Sequence, residues 1–166
     1  RQDILRLKQQ AAERAVELIE SGMVIGLGHG STANFAVRRL AQLLQTGALS
    51  AILGIPCSKQ VEAEARRLGI PLTTLEEHPI IDVTIDGADE VDPNLDLIKG
   101  AGGALLQEKI IAQASHREII VVDESKLSPV LGTHSVLPVE VIPFGWRLQA
   151  SFLESLGARV SIRQAS

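Results

Sequence analysis

Acids, lysines and a pair of glycine-rich turns carry the chemical interest of this chain. The first turn reads Gly26-Leu27-Gly28-His29-Gly30-Ser31-Thr32-Ala33. The second lies downstream of Asp86-Gly87-Ala88-Asp89-Glu90 and reads Lys99-Gly100-Ala101-Gly102-Gly103, with Glu108 soon after it. One segment has the makings of an anion cradle. The other gathers groups that move protons.

A strand that feeds a glycine-rich turn and then a helix offers backbone N–H groups and a positive dipole end to an anion. Gly30, Ser31 and Thr32 are placed to hold it, with two hydroxyls as added donors. The plainer reading is a tight turn in which one hydroxyl caps the helix. A dinucleotide fingerprint would need glycine at position 31 and an acid about 20 residues on. Position 31 is Ser, and no Asp or Glu lies between Thr32 and Glu62. A Walker loop would need Gly-Lys-Ser/Thr, which the sequence lacks. A small phosphate ester remains. Lys8 is the candidate cation for it, against the plainer reading of a solvated helix lysine.

Asp86 ends a β-branched run, and in an open α/β sheet the ligand crevice lies outside the carboxyl ends of the strands. Gly87 and Ala88 let the chain turn there, and Asp89 follows. Aspartates in turns are commonplace, which is the plainer reading for both acids. Lys99 stands at another strand end, and the backbone of Gly100, Ala101 and Gly102 can approach a ligand closely. Glu108 shares a helix face with Ala104 and Ile111. A carboxylate on such a face has a route to a raised pKa and to general-base work; the alternative is a solvated Gln-Glu-Lys patch. Lys126 follows the next strand end and can reach the same crevice. The histidines are scattered, and no His/Cys/Asp spacing resembles a metal site. No metal or other cofactor is expected.

These residues need a scaffold, and the pattern supplies one. Helical spacing runs from Ile4 to Ile19, with Asp3 as its N-cap, then over residues 32–44, 59–68, 104–114 and 146–156. Short apolar runs at 23–27, 51–55, 80–85, 95–98, 118–122 and 158–162 read as strands, and 71–75 as a strand or extended piece. Residues 136–142 carry Pro138 and suit an edge strand or a connection. The alternation predicts an α/β fold, a Rossmann-like parallel sheet with helices on both faces, followed by the start of a smaller α+β domain. We place the domains at residues 1–130 and 131–166.

Composition narrows the function classes. The 166 residues are 45% apolar but only 2% aromatic, so the core is aliphatic. Tyr is absent and Trp146 is the only Trp, which leaves no platform for stacking bases. The net charge of −4 comes without a basic block, so no nucleic-acid partner is expected. No apolar run approaches the roughly 18 residues of a membrane span, and the charged start is no signal peptide. Cys57 is the only cysteine, which fits a reducing, cytoplasmic compartment. The chain starts at Arg1 without Met and stops just past an expected strand, so a trimmed chain is expected.

Taken in order, the two turns and their acids, with Ile98-Lys99-Gly100-Ala101-Gly102-Gly103-Ala104-Leu105, Glu108-Lys109-Ile110, Ser125-Lys126 and Leu137-Pro138-Val139-Glu140-Val141, resemble the A-type ribose-5-phosphate isomerases. The resemblance covers essentially the whole chain. It implies a metal-independent aldose–ketose isomerase of the pentose phosphate pathway, working through an enediolate on a small sugar phosphate, in a homo-oligomer (dimer or tetramer). It implies Glu108 as the base, with Asp86, Asp89 and Lys99 around the sugar hydroxyls and the enediolate. It implies Lys8, Gly30, Ser31 and Thr32 at the phosphate, and Lys126 as a further substrate contact. His29 departs from the family's usual Thr or Ser, although imidazole can still donate to phosphate or a substrate oxygen. Family members also run on past the end of this chain. A non-catalytic sugar-phosphate sensor is the alternative: it would keep the glycine turn but need no base at 108. An amino-sugar-phosphate deaminase shares the turn, but its catalytic histidine finds no counterpart.

Overall fold

The computed structural model describes residues 2–163. In chain order the elements are α1 (Gln2–Val16), β1 (Val24–Leu27), α2 (Ala33–Gln45), β2 (Leu53–Pro56), α3 (Lys59–Arg67), β3 (Ile81–Asp86), β4 (Glu90–Val91), β5 (Leu97–Ile98), α4 (Leu105–Gln113), β6 (Ser115–Ile120), a 3-10 turn (Glu124–Lys126) and α5 (Trp146–Ser155). Four strands form one parallel sheet in the order β2-β1-β3-β6. Its register sets Leu27 beside Pro56 and Ile85, so the carboxyl ends of β1, β2 and β3 finish level. β4 and β5 form a small antiparallel pair of their own.

The central strands form because they are aliphatic and covered on both faces, as a parallel sheet requires. Every residue of β1 is buried. Ile25, Ile52, Ile81 and Leu40 are almost wholly so, and they share one core with Val83, Ile85 and Ile111. The chain moves outward from β1 to β2, then back across to β3. After β2 the chain first steps further outward to a parallel bridge of Leu72 with Gly54. Right-handed crossovers therefore put α2 and α3 on one face of the sheet, where Arg38 Nε lies 3.5 Å from Glu64 Oε1, and the run from β3 to β6 puts α4 on the other. α1 packs along α2 through Ala12, Ala15 and Val16.

Three readings of the sequence need correction. Asp3 lies inside the first turn of α1, where it complements the helix dipole rather than capping it. Thr32 holds the N-cap position of α2 but makes no side-chain cap bond, and Ser31 does not cap either. Residues 158–162 form no strand, because no partner strand meets them among the described residues; Val160 and Ile162 face outward. Two smaller differences have plain causes. β6 starts earlier than its apolar residues suggest, since His116, Arg117 and Glu118 are exposed on an edge strand that needs no apolar face there. Residues 136–142 are a connection, and the 71–75 stretch keeps only a single bridge between Leu72 and Gly54.

Candidate active site

The reversal of strand order beside β1 opens a crevice at the carboxyl ends of β1 and β3, where ligands of open α/β sheets bind. Both glycine-rich segments converge on it. Gly28 makes the convergence possible: a Cβ there would collide with Asp86 Oδ1 and the Ile85 carbonyl oxygen. Its N–H donates to that carbonyl at 2.9 Å, and the next N–H, of His29, donates to Asp86 Oδ1 at 3.0 Å. The result is a cavity of ≈ 150 Å³, roughly ten times what one water needs.

Lys8, Ser31, Thr32 and Lys126 line one part of the cavity wall, with Gly30 turning between them at φ +115°. Lys8 Nζ donates to Ser31 Oγ at 3.1 Å and lies 3.7 Å from Asp123. Asp123 caps the turn that carries Lys126 and accepts from the Ser125 N–H. Hydrogen bonding from Ser125, then the nearby Lys8 and Lys126, holds its carboxyl below the ordinary value despite partial burial. The sequence shows Asp123 only as a strand end. Its place beside two lysines depends on residues far apart in the chain.

The other part of the wall holds Lys99 and Glu108, with Gly87, Ala88, Asp89, Gly100 and Gly102 around them. Lys99 Nζ makes contacts to Asp86 Oδ2 at 2.9 Å, the Gly87 carbonyl at 2.5 Å and Glu108 Oε2 at 3.2 Å. An ammonium has three donors, so all are in use. Asp86 stands behind this lysine, 1% exposed, its other oxygen held by the N–H groups of His29 and Gly87. Asp86 and Ala101 do not line the cavity. Ala101 ties the second turn to the acidic loop instead, its N–H donating to Asp89 Oδ2 at 2.9 Å.

Glu108 is 6% exposed on the first turn of α4. Burial pushes its carboxyl above the ordinary range and the Asp86 charge adds to this, outweighing Lys99. Burial alone would pull Lys99 down, but the two carboxylates overcome it and its value rises, so the ammonium stays charged. A carboxylate with enhanced basicity thus sits against a fixed cation in a recess, a pairing suited to taking a proton from carbon beside a developing oxyanion.

Two contributors are not visible from motif spacing. His29 Nδ1 lies 3.1 Å from the Ser58 hydroxyl, which comes from the start of α3. Glu90 is wholly buried and gathers the 128–135 loop: its carboxylate accepts from the Ser128 hydroxyl and from the N–H groups of Thr133, His134 and Ser135. Those donors outweigh burial and hold it down at about 2, the Ser128 bond contributing most.

The family model described as ribose 5-phosphate isomerase A (phosphoriboisomerase A) matches residues 53–166. A ribose-5-phosphate isomerase A of Desulfatibacillum aliphaticivorans is 62% identical over 95% of this chain and 69% of its own length. One of Chloroflexus aurantiacus is 58% identical over 94% of this chain and 65% of its own. The chain thus spans about two thirds of the length of these curated relatives. A solved D-ribose-5-phosphate isomerase in complex with phospho-erythronic acid superposes with a TM-score of 0.96 at 42% identity, over 98% of this chain and 71% of that one.

Proposed function

The chain belongs to the ribose 5-phosphate isomerase A family, and from that premise we propose that its cavity interconverts ribose 5-phosphate and ribulose 5-phosphate through an enediolate. The observation that carries the proposal is Glu108. It is buried and raised in pKa, and it lies 3.2 Å from Lys99 in the same cavity as Lys8, Ser31 and Thr32. A sensor would bind the phosphate without needing this pair.

With the open-chain aldose bound, Glu108 removes the proton on C2. The electron pair forms the C1–C2 double bond, and charge collects on O1. Lys99 is the donor for that charge. All its protons are taken before substrate arrives, and the 3.2 Å contact to Glu108 is the longest, so that contact yields. Its loss removes the Lys99 hydrogen bond that helps to lower the Glu108 pKa, and the base strengthens as the substrate seats. The O2 proton passes to O1, the carboxylic acid returns its proton to C1, and C2–O becomes the carbonyl. Asp86 is a positioning residue here, fixing Lys99 from behind. Asp89 holds the Ala101 turn in place.

Lys8, Ser31, Thr32 and Lys126 supply a phosphate site remote from the reacting carbons, whose binding energy orients C1 and C2. The phospho-erythronic acid held by the solved relative combines a phosphate with an oxygen-rich acid, and these two ends suit such a ligand. The division near residue 130, a homo-oligomeric state and a cytoplasmic location belong to the same proposal. Among the described residues no helix is long and apolar enough to cross a membrane.

The test is turnover of ribose 5-phosphate by the full protein with chelator present, followed as ribulose 5-phosphate. Ribose without phosphate should have a kcat/KM lower by orders of magnitude. Equal values for the two sugars would remove the phosphate site from the account. Tight binding of ribose 5-phosphate without turnover would make the site a sensor.

A further inference from the structure

We propose that His29 donates a hydrogen bond from Nε2–H to a sugar oxygen of the substrate, and that Ser58 is the positioning residue that fixes the required tautomer. The inference rests on the isomerase reading for the identity of the substrate. Its geometry is independent of that reading.

Ser58 is the N-cap of α3, with extended backbone, and its hydroxyl oxygen accepts from the Val61 N–H at 3.2 Å. A hydroxyl has one proton to give. Among the described residues, the one other partner of Ser58 Oγ is His29 Nδ1, 3.1 Å away. On this proposal that proton goes to Nδ1, and a neutral imidazole that accepts at Nδ1 carries its hydrogen on Nε2. Ser58 Oγ thus serves two partners: it caps α3 and it stands against His29 Nδ1.

The ring's far edge lies over the second glycine turn. A Cβ on Gly102 would stand 2.9 Å from His29 Cδ2 and 3.2 Å from Nε2, so a glycine there leaves room for the ring. Nε2 has no hydrogen-bond partner among the described residues, and no side-chain nitrogen or oxygen is both buried and unpartnered. Nε2 therefore opens to the cavity that His29 lines. The turn beneath it carries Lys99, and Glu108 lines the same cavity as the ring. These neighbours belong to the reacting end. Lys8 and Ser31, bonded to one another, hold the phosphate end. The donor is therefore directed at the sugar.

Three substitutions separate the ring's atoms. His29→Gln places an amide N–H where Nε2 was, His29→Asn reaches only the Nδ1 position, and His29→Leu offers neither. We expect kcat/KM for ribose 5-phosphate to stay within about threefold of wild type in His29→Gln and to fall about tenfold or more in the other two, the loss of one neutral-to-polar hydrogen bond. Inhibition by inorganic phosphate should be unchanged in all three. In the full protein, ¹⁵N NMR of the imidazole should show the Nε2–H tautomer, with a shift of Nε2 on adding ribose 5-phosphate. Ser58→Gly keeps an acceptable N-cap and should release the tautomer preference. A wild-type-like His29→Leu, phosphate inhibition weakened in parallel with turnover, or an Nδ1–H tautomer would each overturn the proposal. If wild-type protein does not turn over the sugar, the isomerase reading fails, while the tautomer and the Nε2 shift still decide the role of His29.

Discussion

Glu90 and Glu108 are the same residue in the same fold, both buried, and they are driven in opposite directions. Glu90 accepts from one hydroxyl and three backbone N–H groups, and its carboxyl drops to about 2. Glu108 has one lysine and the nearby charge of Asp86, and its carboxyl rises. Burial raises both; the count of donors decides which way each one goes. A saturated carboxylate is a structural tie, because it has nothing left to give a ligand. An under-satisfied one is a reagent. The neighbourhood therefore assigns the roles that sequence leaves open, and the assignment can be broken from either side.

The largest effect is expected at Glu108. Glu108→Gln keeps the shape and removes the base, so kcat should fall about 10²–10⁴-fold with little change in KM. Its thermal midpoint at pH 7 should equal or exceed that of wild type. The folded pKa of Glu108 lies above its ordinary 4.5, so the charged form costs stability once pH passes the raised value and costs nothing below 4.5. The stability advantage of the variant should therefore vanish on acidification. A large loss of stability at neutral pH would place Glu108 among the structural carboxylates.

Lys99→Met comes next. It removes one donor to the developing oxyanion, an effect of about 10²–10³-fold on kcat. It also removes the influence that lowers Glu108. The acid limb of the residual pH–rate profile should move to higher pH, and an unmoved limb would uncouple the two residues.

Glu90→Gln should do the reverse of Glu108→Gln. Its thermal midpoint should fall by roughly 2–8 °C, because an amide cannot accept every bond the carboxylate accepts. The folded pKa is depressed, so the contribution is complete above about pH 4.5 and fades as pH falls toward about 2. The gap between variant and wild type should close over that window. Activity at low temperature should be affected mainly through the 128–135 loop. An acid-independent gap would mean that shape, not charge, ties the loop.

The smallest effect is expected at the phosphate end. Ser31→Ala should raise KM about tenfold with kcat nearly constant, since ground and transition states hold the phosphate alike. A kcat loss as large as that of Lys99→Met would merge the two ends of the cavity into one functional unit.

The contrast between the two glutamates also shows what the sequence could display. The order of strands and helices and the placing of Asp86 at a strand end follow from aliphatic runs and glycine punctuation, which are local. Glu108 could be shortlisted from its helix face, but its burial depends on β3 and on Lys99. The role of Glu90 was invisible, because its donors come from residues 38 to 45 positions downstream. The Ser58 partner of His29 is likewise 29 positions away. The expected strand at 158–162 failed for a related reason: apolar alternation shows willingness to pair, and pairing needs a neighbour. The exposed Phe144, Leu148 and Phe152 of the same region make that point again, as a helix formed there without burying its apolar side chains.

The central claim is that Glu108 moves the proton between C1 and C2, and isotope exchange measures this directly. Ribose 5-phosphate is incubated with the full protein in deuterium oxide, and incorporation at C1 and C2 is followed by NMR in wild type and in Glu108→Gln. The account predicts rapid incorporation by wild type and a loss in the variant by the same factor as kcat. Incorporation by Glu108→Gln at the wild-type rate would contradict it and pass the role of base to another carboxylate, with Asp86 the next to test.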